Sequence, residues 1–192
     1  LWRIDSQRNT ERKTTSKCNQ SIADTFLRRV NCPFYYKIGT CRHGDSCTRQ
    51  HNKPPVSQTL MFARLYQNPT AAIAFTQGLQ VPQEDLREAA LHFEDFFQEV
   101  FEEFAQYGEV VDMVVSDNIG EHLLGNLYLK YATEEQAEAC LGAMLGKLYK
   151  GQVIQAEYSP VTDFREAKCR QYGEGACDRG GYCNFIHPKH ID

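Results

Sequence analysis

Cys32, Cys41, Cys47 and His51 are separated by eight, five and three residues, and Cys169, Cys177, Cys183 and His187 by seven, five and three. Three thiolates and one imidazole make a complete N/S donor shell, the kind that tetrahedral Zn²⁺ prefers and that folds a short segment around the ion. Protein fills all four positions in each set, so no coordination site is left for a reactive water and the metal's task is structural. Six of the eight cysteines fall into this register, which makes coincidence a poor explanation. Two CCCH zinc fingers, each holding one structural Zn²⁺, follow from the spacing. Of the two remaining cysteines, Cys140 reads as a small apolar residue on a helix, and Cys18 has no assignment. Cysteines in metal register imply a reducing compartment rather than a disulfide framework.

The two repeats agree beyond their ligands. Gly44 and Gly180 each sit in the middle of the five-residue gap, where a tight turn demands positive φ. Aromatic residues crowd both loops: Phe34, Tyr35 and Tyr36 in the first, Tyr172, Tyr182 and Phe185 in the second. Exposed rings beside Arg42, Arg49, Arg170 and Arg179 suit single-stranded RNA, which offers bases to stack and phosphates to neutralise. The same rings can instead fill each finger's small core, and the sequence leaves both readings open.

The segments that position these fingers differ sharply in charge. The net of −4 divides into +2 over residues 1–27, +5 over 28–53, −12 over 54–163 and +1 over 164–192. A basic first finger and an acidic centre imply two different partners. At 192 residues and 42% hydrophobic composition the chain can bury a core. No run of eighteen apolar residues occurs and the first residues lack an apolar signal segment, so a soluble chain without membrane contact is expected.

Four segments are expected: a loosely ordered arm over 1–20, finger 1 with a leading helix over 21–55, a central domain over 57–159, and finger 2 over 160–192. The leading helix is placed at Ser21–Arg29. In the centre, a strand is expected within Ser57–Tyr66, then a long loop over 67–83. Leu86, Ala90, Phe93, Phe97, Val100 and Phe104 recur at helical spacing within Glu84–Tyr107. Its acids, Glu94, Asp95, Glu99, Glu102 and Glu103, form either a solvated face or a docking surface for a basic peptide. Strands follow at Glu109–Val115 and Gly125–Tyr131. A helix capped by Thr133 comes next, and Lys150–Gly151 turns into a last strand over Gln152–Glu157. This order is an α+β fold, the ferredoxin-like βαββαβ arrangement of an RNA recognition motif, flanked by the two fingers. Its RNA-contacting strand, Leu124-Gly125-Asn126-Leu127-Tyr128-Leu129-Lys130-Tyr131, lacks the basic residue and first stacking aromatic of that motif and keeps Tyr128 and Tyr131. Protein binding is the expected task of so acidic a domain.

With Val30-Asn31-Cys32, Phe34-Tyr35-Tyr36-Lys37-Ile38-Gly39, Asp117-Asn118-Ile119-Gly120, Ser159–Ala167 and Gly180–Phe185, the chain resembles the small-subunit family of the U2 snRNP auxiliary factor from about Ser21 to Pro188. Members recognise the AG dinucleotide at 3′ splice sites. The resemblance implies a non-enzymatic nuclear splicing factor that binds AG-containing single-stranded pre-mRNA through Phe34, Tyr36, Arg42, Thr48, Arg49, Arg170, Gln171, Arg179 and Phe185. It also implies a U2AF-homology-type central domain that clasps a tryptophan-bearing peptide of the large subunit. The matching residues are Lys147, Leu148 and Tyr149, with Glu99 and Glu102 meeting basic residues of the peptide. Lys147 and Leu148 depart from the family's Arg and, usually, Trp; lysine keeps the charge without the planar fork. Other spliceosomal contacts fit the same resemblance. The alternatives are a paralogous RNA-binding protein of another splicing complex and a scaffold whose fingers touch protein only.

Overall fold

The computed structural model describes residues 30–191. The arm expected over 1–20 and the helix expected over Ser21–Arg29 lie outside the described residues. Finger 1 contains helix α1 (Pro33–Ile38) and a 3₁₀ turn at Gly44–Ser46. The central domain follows as β1 (Thr59–Ala63), α2 (Thr70–Thr76), α3 (Gln83–Ala105), β2 (Val110–Val115), β3 (Leu127–Tyr131), α4 (Glu134–Met144), β4 (Leu148–Tyr149), β5 (Gln152–Val153) and β6 (Gln155–Tyr158). Helices α5 (Phe164–Ala167) and α6 (Arg170–Gly173) and a second 3₁₀ turn at Gly180–Tyr182 build finger 2.

Four strands form one antiparallel sheet in the order β2-β3-β1-β6, the ferredoxin-like order expected from the sequence. Side chains alternate across it. Leu60, Phe62, Leu127, Leu129 and Tyr131 point to one face, where Phe93, Phe96, Val100 and Phe104 of α3 and Ala137, Cys140 and Met144 of α4 close the main core. Each of the buried α3 side chains contributes roughly 1.5–3 kcal/mol by leaving water. The sequence reading of α3 missed Phe96, which is buried and packs on Tyr66 at 4.7 Å between ring centroids. Met61, Val114 and Tyr128 point to the opposite face. Thr133 caps α4, its hydroxyl accepting from the Gln136 amide at 3.4 Å.

Two expectations about the centre need correction. The loop over 67–83 contains α2, whose Ala-rich segment starts directly after Pro69 and packs against α3. The last strand does not run through Gln152–Glu157. Gln152–Val153 pairs with Leu148–Tyr149 in a separate hairpin, and the sheet strand starts at Gln155, pairing with Ala63. Lys150 and Gly151 between the hairpin strands have φ of 45° and 81°, the two positive values that a type I′ turn requires.

Candidate functional site

Each finger brings its four ligand atoms within 4.8 Å of one another. Cys41 and Cys47 sulfurs are 3.9 Å apart, and Cys169 lies 3.8 Å from both Cys177 and Cys183. A Zn–S bond of about 2.3 Å in a tetrahedron sets sulfurs about 3.8 Å apart, so the spacing fits zinc. Nε2 of His51 and of His187 is buried in each case with no protein partner, the free lone pair a metal needs. Burial pushes the Cys41 and Cys183 thiols up to about 11, while at Cys32 and Cys177 burial is outweighed by hydrogen bonds that lower them, so a set with all three sulfurs ionised needs a cation to persist. These are two Cys₃His zinc sites. When bound, Zn²⁺ supplies a structural cross-link.

The fingers are built alike around the sites. Cys32 and Cys169 stand at the N-caps of α1 and α6. Parallel bridges close each loop: Cys32 N–H donates to Gln50 O at 3.0 Å, and Cys169 N–H to Ile186 O at 2.8 Å. Tyr35 stacks on His51 at 4.7 Å and Tyr172 on His187 at 4.0 Å, each within 14° of parallel. The tyrosine three residues after the first cysteine is therefore a wall of the metal site in both fingers. For these two rings the mini-core reading holds. The 3₁₀ turns place Gly44 and Gly180 at φ of 48° and 53°, as their mid-gap positions predicted.

Both fingers sit on the central sheet. Ile38 from finger 1 and Phe164, Ala167 and Ile186 from finger 2 enclose Tyr128, which is 0% exposed. Gly39, at φ 75°, permits this approach: a Cβ there would lie 2.7 Å from Ser159 Oγ and 3.1 Å from the Tyr128 ring. The two aromatics kept from the RNA-contacting motif are thus unavailable to bases. Tyr131 turns the other way and donates to Phe104 O at 2.8 Å.

Finger 2 is also clamped at the turn after β2. Asn118, fully buried, donates from Nδ2 to the carbonyls of Cys183 and Phe185, both at 3.1 Å, and its Oδ1 accepts from His187 N–H at 2.8 Å. Asp117 pairs with Lys189 at 2.7 Å. Gly181 O accepts from the Ile119 amide at 2.9 Å, so close that a Cβ on Gly181 would meet Ile119 at 2.6 Å. The turn 117–120 was visible in the sequence; the use of Asn118 was not.

Of the residues singled out for RNA, Arg42, Thr48, Arg49, Arg170, Gln171 and Arg179 are exposed. Phe34 and Tyr36 are 36% and 38% exposed. Phe34 meets half-buried Phe185 edge-on at 6.1 Å, which joins the two fingers by their own aromatics. Gln171 and Arg179 are hydrogen-bonded to one another.

On the helical side, a cleft of about 340 Å³ opens between α3 and the β4–β5 hairpin. Leu65, Val100, Phe104, Met144 and Ile154 supply its apolar lining, and Glu99, Glu102, Glu103, Gln106, Lys147, Leu148 and Tyr149 complete its wall. All five residues singled out for a partner meet here. Tyr149 donates to Glu99 at 2.9 Å, and Lys147 reaches Glu103 at 3.4 Å. A hydrogen bond to Tyr107 raises the Lys147 pKa, and burial raises that of Tyr149. Leu148 is 70% exposed at the rim.

The family model for zinc fingers of C-x8-C-x5-C-x3-H type and similar matches residues 27–53 and 164–189. The RNA recognition motif model matches residues 97–155. That match starts inside α3, whereas the sheet begins at β1. The chain is 49% identical over 173 residues to a splicing factor U2af small subunit of Arabidopsis thaliana, covering 89% of this chain and 60% of that protein. It is 48% identical over 172 residues to the splicing factor U2AF 26 kDa subunit of Rattus norvegicus, covering 89% and 78%. With the U2af 38 kDa subunit of Drosophila melanogaster it shares 46% over 176 residues, covering 89% and 66%. The chain therefore spans about 60% of the length of the plant relative it matches.

Proposed function

Because the chain belongs to the small-subunit family of the splicing factor U2AF, an RNA-binding rather than an enzyme family, we propose that its two fingers together bind AG-containing single-stranded pre-mRNA in the nucleus. The observation that supports this most is the burial of Tyr128 beneath both fingers. The sheet face that an RNA recognition motif would offer to bases is already filled. Contact with RNA then passes to the fingers, whose exposed arginines and joined aromatics, Phe34 and Phe185, offer charge and stacking surface. Arg42, Arg49 and Arg170 serve as phosphate or base-edge donors, Thr48 and Gln171 approach bases, and Tyr36 stacks.

The cleft on the other side receives the large subunit. Its apolar floor takes an aromatic side chain, and Glu99, Glu102 and Glu103 take basic residues of the same peptide, so a tryptophan-bearing basic segment fits it. Lys147 and Tyr149 occupy the positions of the family signature, and Leu148 offers an aliphatic contact at the rim.

The test is the binding of the zinc-loaded chain, with and without such a peptide, to short RNAs containing UAG or UAC. Discrimination of about 1–3 kcal/mol for the changed base is the expected result. Equal binding that falls steeply with salt would refute AG readout and leave a phosphate-driven binder. No binding at all would favour a protein-only scaffold. Leu148 favours one further reading, a paralogous subunit of another splicing complex; it predicts preference for a partner peptide other than that of the family's large subunit.

A further inference from the structure

Arg179 is exposed at the edge of finger 2, yet its guanidinium is engaged. Nη2 donates to Gln171 Oε1 at 2.6 Å and lies 3.7 Å from Cys169 Sγ and 3.9 Å from Cys177 Sγ. A guanidinium has donors only, so the amide oxygen of Gln171 must be the atom that faces it. The remaining end of that amide, an NH₂ with two donors, belongs to an exposed side chain. Finger 1 has no such pair: the equivalent positions, two after the first and second cysteines, are Phe34 and His43. Phe34 is taken up by Phe185 instead. The two fingers are therefore chemically unlike at this one position, an aromatic edge in one and an oriented amide in the other.

We propose that Arg179 is a positioning residue that fixes Gln171 as a donor-only reader of a base edge bearing two acceptors, the O6/N7 edge of guanine. This rests on the RNA-binding reading above. Adenine presents a donor beside an acceptor on the same edge, and a glutamine pairs with it only by using both ends of its amide. With Oε1 already accepting from Arg179 at 2.6 Å, that pairing needs the same oxygen to accept from two donors at once with the amide turned to suit both, which disfavours adenine against guanine. Zinc-bound thiolates supply the opposite charge that holds the guanidinium in place, so orientation of the reader depends on a formed metal site.

The experiment measures affinities of the zinc-loaded chain for matched RNAs carrying UAG or UAA across a salt series. Wild type prefers guanine. Arg179→Ala releases Oε1, and the guanine-to-adenine ratio falls by about tenfold. The salt dependence stays unchanged, because no phosphate contact is lost. In a Gln171→Ala background, Arg179→Ala has no further effect on the ratio. Zinc content, two ions per chain, is measured alongside. If Arg179→Ala sheds the second zinc, Arg179→Met serves in its place: it keeps much of the apolar stem but has no donor for Oε1, so the ratio still falls. A phosphate contact gives the opposite pattern, with the logarithmic salt slope smaller by about 0.7 in Arg179→Ala and an unchanged base ratio. That pattern overturns the proposal, as does an equal loss of ratio with and without Gln171. Wild type that fails to bind RNA removes the RNA reading itself, an outcome distinct from these.

Discussion

Removal of one buried amide should empty one zinc site and spare the other. Asn118 holds the ligand loop of finger 2 through the carbonyls of Cys183 and Phe185 at 3.1 Å and the His187 amide at 2.8 Å. Asn118→Ala leaves those three backbone groups without a partner. A buried polar group without its partner costs about 1–3 kcal/mol, and Phe185 is only half-buried, so water relieves some of the loss. A total of about 3–6 kcal/mol is the working figure. Two of the three groups belong to zinc ligands, so the cost appears as weaker metal binding at finger 2, by about 100-fold at the lower bound. Finger 1 makes none of these bonds. Competition against a chromophoric chelator should then turn from one release phase into two, with one equivalent of zinc leaving early and one at the wild-type position. Native mass spectrometry would count the same loss. Release of both ions together at the wild-type chelator concentration, in a folded variant, would refute the clamp.

Gly39→Ala must place a side chain at φ 75° and against Ser159 and Tyr128, and should lower stability by about 1–3 kcal/mol in a thermal melt. A paired reversal of charge at the cleft, Glu99→Lys with Glu102→Lys, should weaken binding of a basic tryptophan peptide by about tenfold at low salt, and calorimetry in high salt should show that difference shrink. Leu148→Trp enlarges the apolar rim and should tighten the same peptide by about 1 kcal/mol. His122 is half-buried with Nε2 unpartnered, and burial, then the nearby Arg42, lowers its pKa. Its neutral form is thus favoured in the fold: the stabilisation is present above the unfolded pKa of about 6.5 and is lost as pH falls from there through the folded value. Between about pH 7.5 and 5.5 wild type should lose more melting temperature than His122→Gln; equal losses would remove His122 from the account.

The zinc sites were legible because ligand type and spacing are chemistry that depends little on distant parts of the chain. The strand order was legible too, since Leu127, Leu129 and Tyr131 alternate with the period of a half-exposed strand and the α3 phenylalanines with that of a helix. What stayed hidden depends on tertiary placement. Tyr128 has the sequence look of a stacking residue, and only the seating of Ile38 and Phe164 against it makes it core. Asn118 sits in a turn like many asparagines until the Cys183–His187 loop arrives from 65 residues away. Helix α2 is seven residues long, too short to stand on propensity alone, and Pro69 in front of it reads as a breaker. Gln152–Val153 continues into β6 by pattern, and only the positive φ of Lys150 and Gly151 shows that it turns back on Leu148–Tyr149 instead.

One sheet with two filled faces also explains the division of charge. Leu60, Phe62, Leu127 and Leu129 face α3 and α4, and Met61, Val114 and Tyr128 face the fingers, so the strands separate the acidic helix from the basic finger. Glu99, Glu102 and Glu103 of α3 lie on one side of the sheet and Arg42 and Arg49 of finger 1 on the other, so each group keeps its own field. Lys53 and Glu157 form the ion pair that joins finger 1 to β6. RNA and a partner peptide, if bound at the fingers and at the cleft, then approach from opposite sides without competing for surface. Any coupling between them has to pass through the sheet, and the residues with contacts to offer on both layers are those of β1 and β3, where Met61 and Tyr128 alternate with Leu60, Phe62, Leu127 and Leu129. A substitution such as Leu129→Ala should therefore disturb both sites together, whereas Asn118→Ala and Glu102→Lys should each disturb one.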